Sequence, residues 1–158
     1  MTGLCAILPS ILPPSLGTID FAAKFRQYDT LLMGRGTYEI AKPQRNSPLS
    51  RGQEWIVVSR TLKPEDHPDV IILSTGVAEA VAALKAQAGK DIWLFDGGVL
   101  FRGLLDAGLV DTIEVGLQPV MLGGGIPLLP EGRRRSLQLT ESKAMPSGIL
   151  MLKYAVVP

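Results

Sequence analysis

The chain has 158 residues, 46% hydrophobic and 20% charged, with 17 glycines, 12 prolines and a formal net charge of +1. That balance fits one globular domain and excludes the charge-rich, apolar-poor composition of a disordered chain. It also excludes a general electrostatic field for nucleic acid or an anionic membrane, so any anion has to be held locally. Cys5 is the only cysteine, which rules out a disulfide within the chain and a cysteine-based zinc cluster; no metal site is expected, and a reducing cytoplasm is the expected setting.

In chain order, "GLCAIL" (3–8) reads as a first strand. The apolar head around it has no basic residue before Lys24 and is broken by prolines, so it does not read as a secretory signal. No stretch supplies the roughly 18 uninterrupted apolar residues of a membrane helix. "IDFAAKFRQY" (19–28) has helical spacing, "TLLMG" (30–34) is a buried strand, and "TYEIA" begins a short helix that Pro43 stops. "EWIVVS" (54–59) and "VIILS" (70–74) read as parallel strands covered on both faces. The alanine-rich 77–90 is a helix ended by Gly89, "DIWLF" (91–95) a strand, and 97–109 a helix with Val99, Leu100, Leu104 and Leu105 turned inward. Strands alternating with helices predict βαβ crossovers and a parallel sheet. The tail reads as three longer strands, 111–120, 136–145 and 148–157, the last two a hairpin across Pro146, Ser147 and Gly148.

The familiar dinucleotide, P-loop, nucleophile-elbow and zinc-protease signatures are absent. His67, the single histidine, stands in the polar turn "PEDHPD" and reads as a surface residue; Arg133-Arg134-Arg135 reads as a solvated turn. Two glycine sites remain. In "WLFDGGVLF" a buried strand runs into Gly97-Gly98 and a helix, which is either a phosphate cradle, with free amides and a helix dipole, or an ordinary tight turn. In "DTLLMGRGTYE", Arg35 follows a buried strand and Thr37 lies two residues on, so guanidinium, hydroxyl and helix amides can meet one anion. Ser59-Arg60 repeats the pairing at the tip of the next strand. Two such tips suit a split phosphate ligand, because arginine grips phosphate oxygens two at a time.

These segments, with "IWLFDGGVLFRGLLDAGLVDTIEVGLQPVMLGGGIPLL" and the closing antiparallel pair, resemble the dihydrofolate reductase-like fold, and within it the bacterial riboflavin-pathway deaminase-reductase C-terminal domain family. The resemblance runs from about Gly17 to the C-terminus and implies a homodimer and NADPH as cofactor. It carries Gly34, Arg35 and Thr37 onto the cofactor-binding G-R-x-T, and Ser59 and Arg60 onto the adenosine 2′-phosphate site. Gly97, Gly98, Val99, Leu100 and Phe101 fall on the loop and helix start at the pyrophosphate and nicotinamide. Family members open with a strand ending Ser-Leu-Asp-Gly, where this chain has Ser10-Ile11-Leu12-Pro13; residues 1–16 are an atypical head. Asp20 falls where dihydrofolate reductases place a carboxylate for proton delivery, but its residue type and place at a helix start favour a helix-capping role first. "MLGGGIPLL" (121–129) is expected to close over the pocket.

The expectation is therefore one α/β domain over 1–158, with a central mixed, mostly parallel sheet, flanking helices and a C-terminal antiparallel hairpin. Its expected function is hydride transfer from NADPH to a small heterocyclic or sugar-derived substrate; the alternative is a non-catalytic NADP(H)-binding protein on the same scaffold.

Overall fold

The computed structural model describes residues 3–8, 21–48, 50–95, 97–121, 123–125 and 127–158, apart from the side chains of residues 5–8 and 21. Its strands are β1 (Leu4–Leu8), β2 (Tyr28–Gly34), β3 (Glu54–Val58), β4 (Ile71–Leu73), β5 (Asp91–Leu94), β6 (Thr112–Leu117), β7 (Leu137–Ala144) and β8 (Leu150–Val156). Its helices are α1 (Phe21–Phe25), α2 (Arg35–Ala41), α3 (Val77–Ala86) and α4 (Gly98–Asp106). The strands form one sheet in the order β4-β3-β2-β5-β1-β6-β8-β7. The first six in that order pair in parallel, and β8 is antiparallel to both β6 and β7.

From β1 to β4 the chain steps toward one edge; then it returns, placing β5 between β2 and β1, and β6 beyond β1. Right-handed crossovers in opposite directions put their helices on opposite faces. Accordingly, Val81 of α3 and Phe101, Leu104 and Leu105 of α4 share one core with Leu4, Leu32, Ile56 and Ile92. Phe25 of α1 and Tyr38 of α2 pack into the other, with Tyr28, Leu31, Met33, Trp55 and Trp93. β3 serves both: Ile56 faces the first, and Trp55 and Val57 the second.

Several expected boundaries shift for identifiable reasons. Tyr28 does not extend α1 but opens β2, where its ring packs 5.2 Å from that of Trp93. α3 stops at Ala86, because Gln87 is already extended (φ −76°, ψ 161°). β4 is not covered on both faces, since it is the sheet edge and Ile71 is 43% exposed. Val99, expected inward on α4, is 81% exposed. The inward direction is set by Phe101, Leu104 and Leu105, and Val99 lies about 200° round the helix from Phe101. At the hairpin, Gly148 takes φ 84° and donates its N–H to the Met145 carbonyl at 2.9 Å, the left-handed turn position for which glycine is suited.

Candidate functional site

β2 and β5 are neighbours whose following helices lie on opposite faces, so a crevice opens beyond their carboxyl ends; open α/β sheets bind ligands at such reversals. A cleft of about 460 Å³ occupies this place, lined by Gly34 and Val58 at the strand ends, Val77 and Ala78 of α3, and Val99, Leu100, Gly103 and Leu104 of α4. Its size falls within the range of small-molecule sites, and its walls are mainly apolar.

Gly34 and Val58 are register partners, so Arg35 and Ser59 leave adjacent strands at the same level. Arg35 opens α2 and is held through Nη1 to Glu39 Oε1 at 3.0 Å, both side chains being about half exposed. Thr37 is half-buried in the first turn of α2. Ser59 is buried, and its hydroxyl accepts from the Thr61 and Leu62 amides at 3.2 and 3.1 Å. That oxygen folds the turn which carries Arg60 outward; Arg60 is exposed and forms no ion pair among the described residues.

Gly97 caps α4 in extended conformation (φ −82°, ψ −177°), and neither Gly97 nor Gly98 has positive φ. Close approach, not left-handed backbone, is what glycine contributes here. Among the described residues nothing lies within 4 Å of a β-carbon built on Gly97 or Gly103, whereas one on Gly98 would sit 2.8 Å from Pro130 Cδ and 3.4 Å from the Leu128 carbonyl oxygen. Part of the expected closing loop thus rests on Gly98. Phe101 stands apart from the other expected cofactor residues: at 1% exposure its ring belongs to the core, because it shares the buried stripe with Leu104 and Leu105. Asp20 and the head at Ser10–Pro13 lie outside the described residues.

Other features were not legible from sequence. Glu114, 7% exposed on β6, meets Lys24 of α1 at 2.5 Å and Lys153 of β8 at 3.6 Å beside a smaller cleft of about 220 Å³. Only the topology brings Lys24 and Glu114, 90 positions apart, into contact. His67 is half-buried rather than a plain surface residue: its Nδ1 lies 3.1 Å from the Tyr38 hydroxyl, and the rings meet edge to face at 5.4 Å. Burial, then the nearby Asp69 charge, pushes the Tyr38 hydroxyl above its ordinary pKa. Arg135 of the supposedly solvated run is half-buried and donates to the Asp106 carbonyl at 2.9 Å. Among the described residues no group of His, Cys, Asp and Glu could hold a metal ion, and no helix is long and apolar enough to cross a membrane.

Residues 14–151 match the RibD C-terminal domain. The chain belongs to that family. It is 31% identical over 156 residues to the uncharacterised protein YyaP of Bacillus subtilis strain 168, covering 91% of this chain and 81% of YyaP. Among solved structures, a Shewanella sp. PV-4 protein named for riboflavin biosynthesis superposes with a TM-score of 0.77 at 21% identity, over 100% of both chains. A pyrimidine reductase-like protein of Corynebacterium diphtheriae does so with a TM-score of 0.68 at 18% identity, over 99% of this chain and 92% of that one. The RibD-type reductase fold is therefore shared, on a family background of riboflavin-pathway reductase domains.

Proposed function

We propose that this chain is a cytoplasmic NADPH-dependent reductase that transfers hydride to a small nitrogen heterocycle or sugar-derived compound. The observation that carries this reading is the apolar cleft at the β2–β5 reversal, with Gly34 at its floor, the first turn of α4 on one wall and two arginines at the adjoining strand tips. The residues present fit a dinucleotide. First-turn amides of α4 have no acceptor four residues back, so they and the helix dipole favour an anionic group, and no described residue comes within 4 Å of a β-carbon position on Gly97 to block its approach. Val99 offers an exposed apolar surface, while Val58 and Leu104 exclude water below it. Arg35 and Arg60 supply charge for a 2′-phosphate; Thr37 and Ser59 belong to the same two strand tips, with Ser59 shaping its turn. NADPH, when bound, supplies the hydride. For the proton, we assign Asp20.

The head, with Leu12-Pro13 where the resembled family has an acid and a glycine, favours a second reading, in which NADP(H) is held without turnover. One experiment separates them: NADPH titration, followed by a scan of its oxidation against pterins, ribosylaminopyrimidines and carbonyl compounds. Oxidation with any compound supports the reductase, binding alone supports the second reading, and absence of binding excludes both.

Gly98→Ala is expected to raise the NADPH dissociation constant about tenfold with circular dichroism of the free protein near wild type. The new methyl must displace the Pro130 ring, a crowding that costs about 1 to 3 kcal/mol. Unchanged binding would remove the nucleotide from this turn.

The proposed protein is also a homodimer. β7 is an edge strand exposed along its whole length, and Leu137 and Leu139 on one of its faces are 43% and 52% exposed. Such an edge is a pairing surface unless it is covered. Light scattering at micromolar concentration should return twice the 17.0 kDa chain mass; a monomer there would contradict it.

A further inference from the structure

Arg102 lies on α4, one residue past Phe101, with its side chain only 12% exposed. Its Nε donates to Asp106 Oδ2 at 2.8 Å and its Nη2 to Asp106 Oδ1, the two-pronged geometry that fixes a guanidinium plane. The same Nη2 donates to the Arg133 carbonyl at 2.7 Å, and Arg135 donates back to the Asp106 carbonyl at 2.9 Å. Gly132 passes so close to this group that a β-carbon there would collide with Arg102 Nε and the guanidinium carbon. At the other end of the segment, Pro130 and Leu128 abut Gly98 in the first turn of α4. One segment, residues 128–135, is thus laid along the cleft-forming helix and tied to it at both ends.

We propose that Arg102 is a positioning residue for the cofactor end of the cleft: it clamps residues 128–135 onto α4, so that Pro130 and Leu128 hold the first turn in its ligand-binding shape. This rests on the reductase reading for the identity of the ligand, but not for the clamp itself. The charge pattern keeps the clamp closed over the neutral range. Arg102, chiefly by its hydrogen bonds, and then the charges of Arg102, Arg135 and Arg133, hold the Asp106 carboxyl below the ordinary carboxylate range against a partial opposing effect of burial. A carboxyl with a lowered folded-state pKa contributes its stability above the unfolded value and loses it only as pH falls through the folded value, so acid is needed to open the clamp. Lysine cannot substitute, because a point charge does not satisfy Asp106 and the Arg133 carbonyl in one plane.

Trypsin reads the clamp directly, since the bond after Arg133 has as its carbonyl the acceptor of Arg102 Nη2. A pinned backbone enters a protease only after local opening. In nucleotide-free protein, Arg102→Ala should be nicked in 132–135 at least tenfold faster than wild type, with the thermal midpoint within a few degrees. The same variant should bind NADPH about tenfold more weakly, and Arg102→Lys should behave like it. Gly132→Ala, which pushes the guanidinium away, should reproduce both effects in the wild-type background and add nothing in Arg102→Ala, where the space is free; this non-additivity is not expected of a general loss of stability. Wild-type nicking rates in Arg102→Ala, or full additivity of the two substitutions, would overturn the clamp. Faster nicking with unchanged NADPH affinity would overturn its positioning role. Failure of wild type to bind NADPH would overturn the reductase reading and the positioning role with it, while the nicking result would still decide the clamp.

Discussion

NADPH is expected to bind at least tenfold more tightly than NADH. In the proposed reading the extra phosphate meets Arg35 and Arg60, which leave neighbouring strand ends one and two residues past the paired Gly34 and Val58. Charge-assisted hydrogen bonds contribute about 1.5 to 3 kcal/mol each, and the exposure of both arginines argues for the lower figure, which is about tenfold per contact. Glu39 competes for Arg35, but an exposed pair one helical turn apart is worth only about 0.3 to 0.5 kcal/mol, so the phosphate wins. Arg35→Ala and Arg60→Ala should each narrow the gap between the nucleotides about tenfold, and Glu39→Gln should tighten NADPH binding about twofold. Calorimetry giving equal dissociation constants for the two nucleotides in wild type would place the phosphate elsewhere.

Phe101→Ala should destabilise the protein by about 3 to 5 kcal/mol, the cost of a large cavity in a packed core. The ring is 1% exposed and belongs to the cluster of Leu4, Leu32, Ile56, Val81 and Leu104. Against a typical total of about 5 to 15 kcal/mol, roughly a fifth or more of the stability would go, visible as a lower urea midpoint with little change in slope. NADPH affinity of the folded fraction should change less than about threefold. Intact stability with lost binding would return Phe101 to the cofactor site.

The contrast between Phe101 and Val99 shows how far the sequence reaches. Both stand in "GGVLF", and resemblance assigns both to the ligand; helix phase separates them, putting one in the core and the other in the cleft wall. Phase depends on the direction in which α4 meets the sheet, which is a tertiary fact. Ser59 makes the same point: its residue type suits a phosphate, yet the turn beyond β3 already uses its oxygen.

By itself the sequence determined the strand–helix alternation, the parallel core with an antiparallel end and the placing of Gly34, Arg35, Arg60 and Gly97 at strand tips. Apolar period, β-branched runs and turn glycines are local properties, and crossover handedness restricts what they can build. The tertiary structure alone decided which residues meet across the chain: Glu114 with Lys24, Tyr38 with His67, and Arg102 with the backbone of Arg133. Such pairs have no sequence period to reveal them, because their partners are 90, 29 and 31 positions away and the contact exists only once the sheet order has brought their elements together.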